Sequence, residues 1–238
     1  MIRFLALNAF IAVHTIFFCV WGFFVSLFDK NGKLVHFYAA VPWSKVILRV
    51  CGVKVMVMGL ENVEKQAPYV YMTNHQSYFD IFALLAFIPS DFKFILKQEL
   101  MKIPILGFGM RKAGYISIDR KDPRRAVRSL NEAARRIKNG TSVVIFPEGT
   151  RSADGVLQSF RPGGFHLALK AGCEIVPVTI VGSFRIVPKG SLKINKGRFA
   201  LSLGKPIPVS PYSKKDIDLL MGRVREAMLD QMRSEPVS

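Results

Sequence analysis

His75 and Asp80 stand with four residues between them in the run Asn74-His75-Gln76-Ser77-Tyr78-Phe79-Asp80, directly after the apolar segment from Tyr69 to Met72. An imidazole can accept a proton from an alcohol near neutral pH, and a carboxylate on its other ring nitrogen fixes the tautomer and steadies the imidazolium that forms. The two residues are therefore the material of a general base and its orienter. Inside one regular helix, positions five apart project about 140° from each other, so contact requires His75 on a loop and Asp80 in the first turn of a helix. Ser77 is the expected N-cap of that helix, with Phe79, Ile81, Phe82, Leu84 and Leu85 as its apolar body. On spacing alone, the pair reads equally well as a structural histidine held by a nearby carboxylate.

A second group of polar residues lies in Ile145-Phe146-Pro147-Glu148-Gly149-Thr150-Arg151-Ser152. The glycine- and proline-rich stretch from Phe146 to Gly164 follows an apolar strand candidate, which predicts an exposed loop at the strand end, a favoured place for ligands. Arg151 offers a planar fork to a phosphate, Gly149 lets the backbone come close, and Thr150 and Ser152 supply further hydrogen bonds. Glu148 would repel a phosphate, so its expected role is positioning Arg151 or hydrogen-bonding an acceptor hydroxyl. Read without the first block, Glu148 and Arg151 could equally be an ion pair bracing the loop.

The two blocks, in this order, resemble those of the lysophosphatidic acid acyltransferase family, the 1-acyl-sn-glycerol-3-phosphate acyltransferases. Gly114-Tyr115-Ile116-Ser117-Ile118-Asp119-Arg120 is similar to the family's second block, whose arginine helps hold the acceptor phosphate. Ile175 to Ile180, with Pro177 inside it, is similar to the fourth. The resemblance covers residues 68 to 182 and implies that His75 and Asp80 are catalytic. It places Arg120, Glu148, Gly149, Thr150, Arg151 and Lys97 around the acceptor, with Arg161 where many members carry a lysine. The implied reaction moves an acyl chain from acyl-CoA or acyl-ACP to lysophosphatidic acid, giving phosphatidic acid, with no cofactor beyond that acyl co-substrate. The acceptor hydroxyl is itself the nucleophile, so no acyl-enzyme is required and the chain can do without a G-x-S-x-G elbow. Candidate oxyanion donors are backbone amides near Asn74 to Ser77 or at Gly149. The same chemistry would serve glycerol 3-phosphate or another lysolipid as acceptor.

Charge and hydropathy specify where such an enzyme works. The chain has 238 residues and a formal charge of +17, with a single charged residue, Arg3, before Asp29. So strong a positive balance calls for an anionic partner: nucleic acid, anionic lipid headgroups or phosphorylated ligands. Phe4 to Phe28 is an uncharged run long enough to cross a hydrocarbon core of about 30 Å, and it is too long for a cleaved signal peptide. Leu34 to Val50 is amphiphilic, with Tyr38 and Trp43 among lysine and arginine, a composition suited to the water interface. Membrane lipid is thus the expected partner and nucleic acid is not, since no nucleic-acid-binding motif accompanies the charge. A non-catalytic basic membrane protein would explain charge and N-terminus but not the two polar blocks. The resemblance implies that the N-terminal helices anchor the catalytic domain to the cytoplasmic face, and Lys30, Lys33, Lys45 and Arg49 favour that orientation. Whether the helices span or stay in one leaflet is open at this level.

Cys19, Cys51 and Cys173 are scattered and odd in number, which reads as free thiols in a reducing compartment. No metal site is expected, because the four histidines are far apart and His166 sits in a helical pattern as a surface or packing residue. From Val53 onward, strand candidates alternate with helices at Phe79 to Phe87, Pro123 to Lys138, Gly164 to Ala171 and Ser213 to Met232. Such alternation predicts a single α/β domain with a mostly parallel or mixed sheet flanked by helices. The expected division is 1–52 for membrane-anchoring helices and connector, and 53–238 for the acyltransferase domain. The Pro123 to Lys138 helix gathers arginines on one side, a face suited to anionic lipid, to the phosphates of a nucleotide-bearing acyl donor, or to plain solvent.

Overall fold

The structure is a computed structural model that describes residues 1–119 and 122–234. The chain begins with α1 (Ile2–Ser26) and α2 (Lys33–Cys51). The rest builds β1 (Val53–Met58), β2 (Val70–Thr73), α3 (Phe79–Phe87), β3 (Phe92–Lys97), α4 (Leu106–Lys112), β4 (Ile116–Ile118), α5 (Pro123–Lys138) and β5 (Ser142–Ile145). It closes with α6 (Gly163–Ala171), β6 (Ile175–Val181), β7 (Gly197–Leu203) and α7 (Ile217–Ser234). One seven-stranded sheet runs in the order β1-β7-β6-β2-β5-β3-β4. The β6-β2-β5-β3-β4 section is parallel; β7 pairs antiparallel to β6 and parallel to β1. The expected mixed α/β architecture is what forms.

The central strands are buried on both faces, which is why they read as continuous apolar runs rather than alternating ones. On one face, α2 and α3 pack over Tyr71, Phe92, Phe94, Val144 and Val176; on the other, α5, α6 and α7 cover Val70, Met72, Val143, Ile145 and Ile175. α3 is apolar apart from Asp80 in its first turn, and seven of its nine residues are buried, as a helix clamped between sheet and α2 must be. Each fully buried Leu or Phe there contributes about 1.5–3 kcal/mol.

Local signals explain most boundaries. Pro123 opens α5, and Asp122, which the sequence reading passed over, caps it by accepting from the Arg124 and Arg125 N–H groups. Gly140 follows that helix at φ 91°, the left-handed conformation that ends helices. Two details differ from the expectation. α4 was not foreseen, because Gly107 and Gly109 dilute its helical pattern within seven residues. The Ser77 cap is met in part: Tyr78 holds the position before Phe79 without a side-chain bond, while the Ser77 hydroxyl accepts from the Phe79 N–H at 3.4 Å and donates to the Val187 carbonyl.

Candidate active site

β6, β2 and β5 lie side by side and run in the same direction, so the loops after Val181, Thr73 and Ile145 leave the sheet at one edge. Sites in open α/β sheets form at this carboxyl edge. The loop after β2 is pinned first. Asn74 extends the ladder with its side chain: its Oδ1 accepts from the Ile180 N–H and its Nδ2 donates to the Ile180 carbonyl, each at 2.7 Å. The Gln76 side chain accepts from the Gly182 N–H and donates to the Gly155 carbonyl. His75 is thus flanked by two buried amides that fix the backbone on either side of it.

The second block holds His75 itself. The His75 N–H donates to Glu148 Oε1 and its carbonyl accepts from the Ser152 N–H, both at 2.7 Å. Glu148 Oε2 accepts from the Gln158 N–H at 2.8 Å. Glu148 is only 3% exposed, so its carboxylate neither braces Arg151 nor faces a substrate hydroxyl as the sequence reading had it. Its structural role is to tie the histidine loop to the loop after β5. Burial raises its carboxyl above the ordinary glutamate range, against the pull of the Gln158 and His75 N–H donors.

The His75–Asp80 contact forms as anticipated, with Asp80 in the first turn of α3 and His75 on the loop. His75 Nδ1 lies 2.8 Å from Asp80 Oδ2, which also accepts from the Gln76 and Ser77 N–H groups at 2.6 and 2.9 Å. Asp80 Oδ1 accepts from the Ser183 hydroxyl. Asp80 is fully buried at the start of α3, and four donors satisfy its two oxygens. With Nδ1 engaged, Nε2 is the nitrogen left for chemistry. Phe146 stacks on the imidazole at 4.0 Å and holds its plane, while 17% of the side chain stays accessible.

Arg151 reaches the same helix start. Its guanidinium lies 3.9 Å from the Tyr78 ring centroid, and its Nη1 is buried without a hydrogen-bond partner among the described residues. A planar cation stacked on an aromatic ring with an unmet donor is arranged to take an anion. Gly149 adopts φ 74° at the turn before it, and Thr150 is exposed beside it. Lys97 is exposed at the end of β3, on the same edge of the sheet. Arg120 lies outside the described residues. Arg161 and His166 are exposed, the latter on the surface of α6.

One correction concerns the oxyanion. The His75, Gln76 and Ser77 amides are already donating to Glu148 and Asp80, and the Gly149 N–H donates to the Phe146 carbonyl at 3.0 Å. These four of the expected donors, Asn74 aside, already have acceptors within the protein. Sequence reading also missed Ser183, Tyr78 and Phe146 as parts of the site; Ser183 carried no signal, since it lies 103 residues from its partner Asp80.

A family model described as Acyltransferase matches residues 54–181. The chain is 38% identical over 88% of its length to the chloroplastic 1-acyl-sn-glycerol-3-phosphate acyltransferase LPAT1 of Arabidopsis thaliana, and 31% identical over 94% of its length to a 1-acyl-sn-glycerol-3-phosphate acyltransferase of Chlamydomonas reinhardtii. It spans 57% of the first relative and 71% of the second. Among solved structures, the 1-acyl-sn-glycerophosphate (LPA) acyltransferase PlsC from Thermotoga maritima superposes with a TM-score of 0.83 at 28% identity, covering 100% of this chain and 99% of that one.

Proposed function

This chain belongs to the 1-acyl-sn-glycerol-3-phosphate acyltransferase family, and we propose that it transfers an acyl chain from a thioester donor, acyl-CoA or acyl-ACP, to the sn-2 hydroxyl of lysophosphatidic acid. The observation that carries this reading is the His75–Asp80 pair with its second-block tether, a base whose Nε2 is hydrogen-bonded to no hydroxyl or thiol among the described residues. His75 Nε2 takes the hydroxyl proton as the acceptor oxygen attacks the thioester carbonyl. A C–O bond forms, the tetrahedral intermediate collapses, the C–S bond breaks, and the proton passes from His75 to the departing thiolate. Asp80 steadies the imidazolium between the two transfers. Arg151, stacked on Tyr78, takes the acceptor phosphate, with Thr150, Gly149 and Lys97 on that side and Arg120 a further phosphate ligand by its place in the second block; Glu148 acts through the backbone of His75.

Residues 1–52 serve as the membrane anchor and 53–238 as the acyltransferase domain, facing the cytoplasm. α1 touches the domain near both of its ends: Arg3 and Asn8 donate to the Ile194 and Leu192 carbonyls, and Phe23 packs on Phe108 of α4. A helix of 25 residues, about 37 Å long, held at both ends by one domain lies along that domain. This supports burial in a single leaflet over a crossing. The test is thiol release from acyl-CoA and acyl-ACP, crossed against lysophosphatidic acid, glycerol 3-phosphate and other lysolipids. Release that depends on lysophosphatidic acid is expected, and release with no acceptor preference overturns the acceptor assignment.

A further inference from the structure

The turn between β3 and α4 holds apolar side chains outward in a conformation that costs free energy. Ile105 has φ 64° and ψ −59°, and the Leu106 N–H closes on the Pro104 carbonyl at 2.6 Å. That is a γ-turn of the hand L-residues disfavour, centred on a β-branched residue. The turn is packed tightly as well: a Cβ at Gly107 would meet the Met101 carbonyl oxygen at 2.2 Å. Backbone strain of this kind persists where the surrounding structure enforces it, and it concentrates at functional positions.

What the strain presents is oily. Leu100, Ile103, Ile105 and Phe108 are between 37% and 49% exposed within nine residues. Lys102, Arg111 and Lys112 stand exposed among them, and the Lys112 ammonium lies over both the Phe108 and Phe23 rings. Through the Phe23–Phe108 contact, the patch continues into the exposed apolar face of α1, which carries Phe17, Val20, Trp21 and Phe24. An apolar patch of this kind rimmed by cations matches an anionic lipid surface, in which the side chains enter the acyl region and the basic groups reach the headgroups.

We propose that the Leu100–Phe108 turn is a membrane-inserting element, separate from the N-terminal helices, whose occupant is anionic bilayer. It follows β3 at the edge of the sheet that carries His75. Its insertion therefore seats the mouth of the site at headgroup depth, where a lysolipid keeps its phosphate and free hydroxyl. The proposal rests on the membrane reading above and extends it to a segment that fixes depth and tilt.

The experiment uses the full chain and vesicles of phosphatidylcholine and phosphatidylglycerol. An environment-sensitive fluorophore is placed at Ile105→Cys in a Cys19→Ala background, the buried Cys51 and Cys173 being left in place. A matching label at Leu219→Cys, an exposed position on α7 across the sheet, is the reference. The label at 105 should shift to the blue on vesicle addition and be quenched by brominated acyl chains, while the label at 219 stays in water. Ile105→Gly is the companion variant: glycine accepts the positive φ, so thermal stability should rise while vesicle partitioning falls about tenfold. A label at 105 that stays in water on bound protein overturns the proposal, as does one already shielded without vesicles by a second copy of the chain. Ile105→Gly protein that partitions like wild type overturns it too. No readout requires acyl transfer, so a failure here is distinct from a failure of the enzymatic reading.

Discussion

At the scale of single residues, the two sequence blocks are two halves of one hydrogen-bonded unit. Glu148 and Ser152 grip the backbone of His75, while Asp80 grips its ring and Ser183 in turn holds Asp80. Ser183→Ala should leave the fold and the His75–Asp80 contact in place but lower kcat by about tenfold with KM little changed, with Ser183→Thr restoring part of it. Parallel loss of stability and activity without that split would reduce Ser183 to packing. Tyr78→Leu removes the aromatic platform under Arg151, which predicts a rise in KM for the phosphorylated acceptor of about fivefold, read from acceptor saturation curves. Glu148 gives a pH signature. Its folded-state carboxyl is raised by burial, so the folded state holds the proton more tightly than the unfolded chain does. The stability this contributes is fully present below about pH 4 and is lost as pH rises through the folded value. Thermal melts of Glu148→Gln should therefore decline less steeply than wild type from pH 4 upward. An identical slope would remove Glu148 as the source.

At the scale of elements, the parallel strands and α3 were legible because burial on both faces writes long apolar runs, and the start and stop of α5 were legible from Pro123 and Gly140, though its Asp122 cap was not. Asp80 could be placed in a helical first turn from geometry alone. What stayed hidden has one physical cause: contacts between segments far apart in the chain leave no local pattern. Glu148 reaching His75 over 73 residues and Ser183 reaching Asp80 over 103 are of this kind. So is the junction between the N-terminal helices and the sheet, where the buried Lys93 ammonium donates to the Gly32 carbonyl and pairs with Asp91 at 2.9 Å. Burial draws both groups toward their neutral forms, Lys93 downward and Asp91 upward. Lys93→Met leaves Asp91 without its cation and should cost about 3–5 kcal/mol in urea unfolding, with Asp91→Asn in the same chain recovering part of it. Additive losses in the double variant would contradict a coupled pair.

At the scale of the whole molecule, a basic α/β domain carries an apolar helical pair along one flank and opens its site at the adjoining sheet edge. Under the proposed function, that arrangement brings a lipid acceptor to a fixed imidazole at the bilayer surface. The central claim is that His75 is the base of a direct transfer, and His75→Ala isolates it well, because the backbone bonds to Glu148 and Ser152 survive the substitution. The decisive measurement is acceptor-dependent thiol release from acyl-CoA and acyl-ACP by His75→Ala protein, set beside its melting curve and vesicle binding. The account predicts a fall in kcat of about a thousandfold or more with folding and vesicle binding retained. Turnover within about tenfold of wild type, from a variant that folds and binds membrane normally, would contradict it.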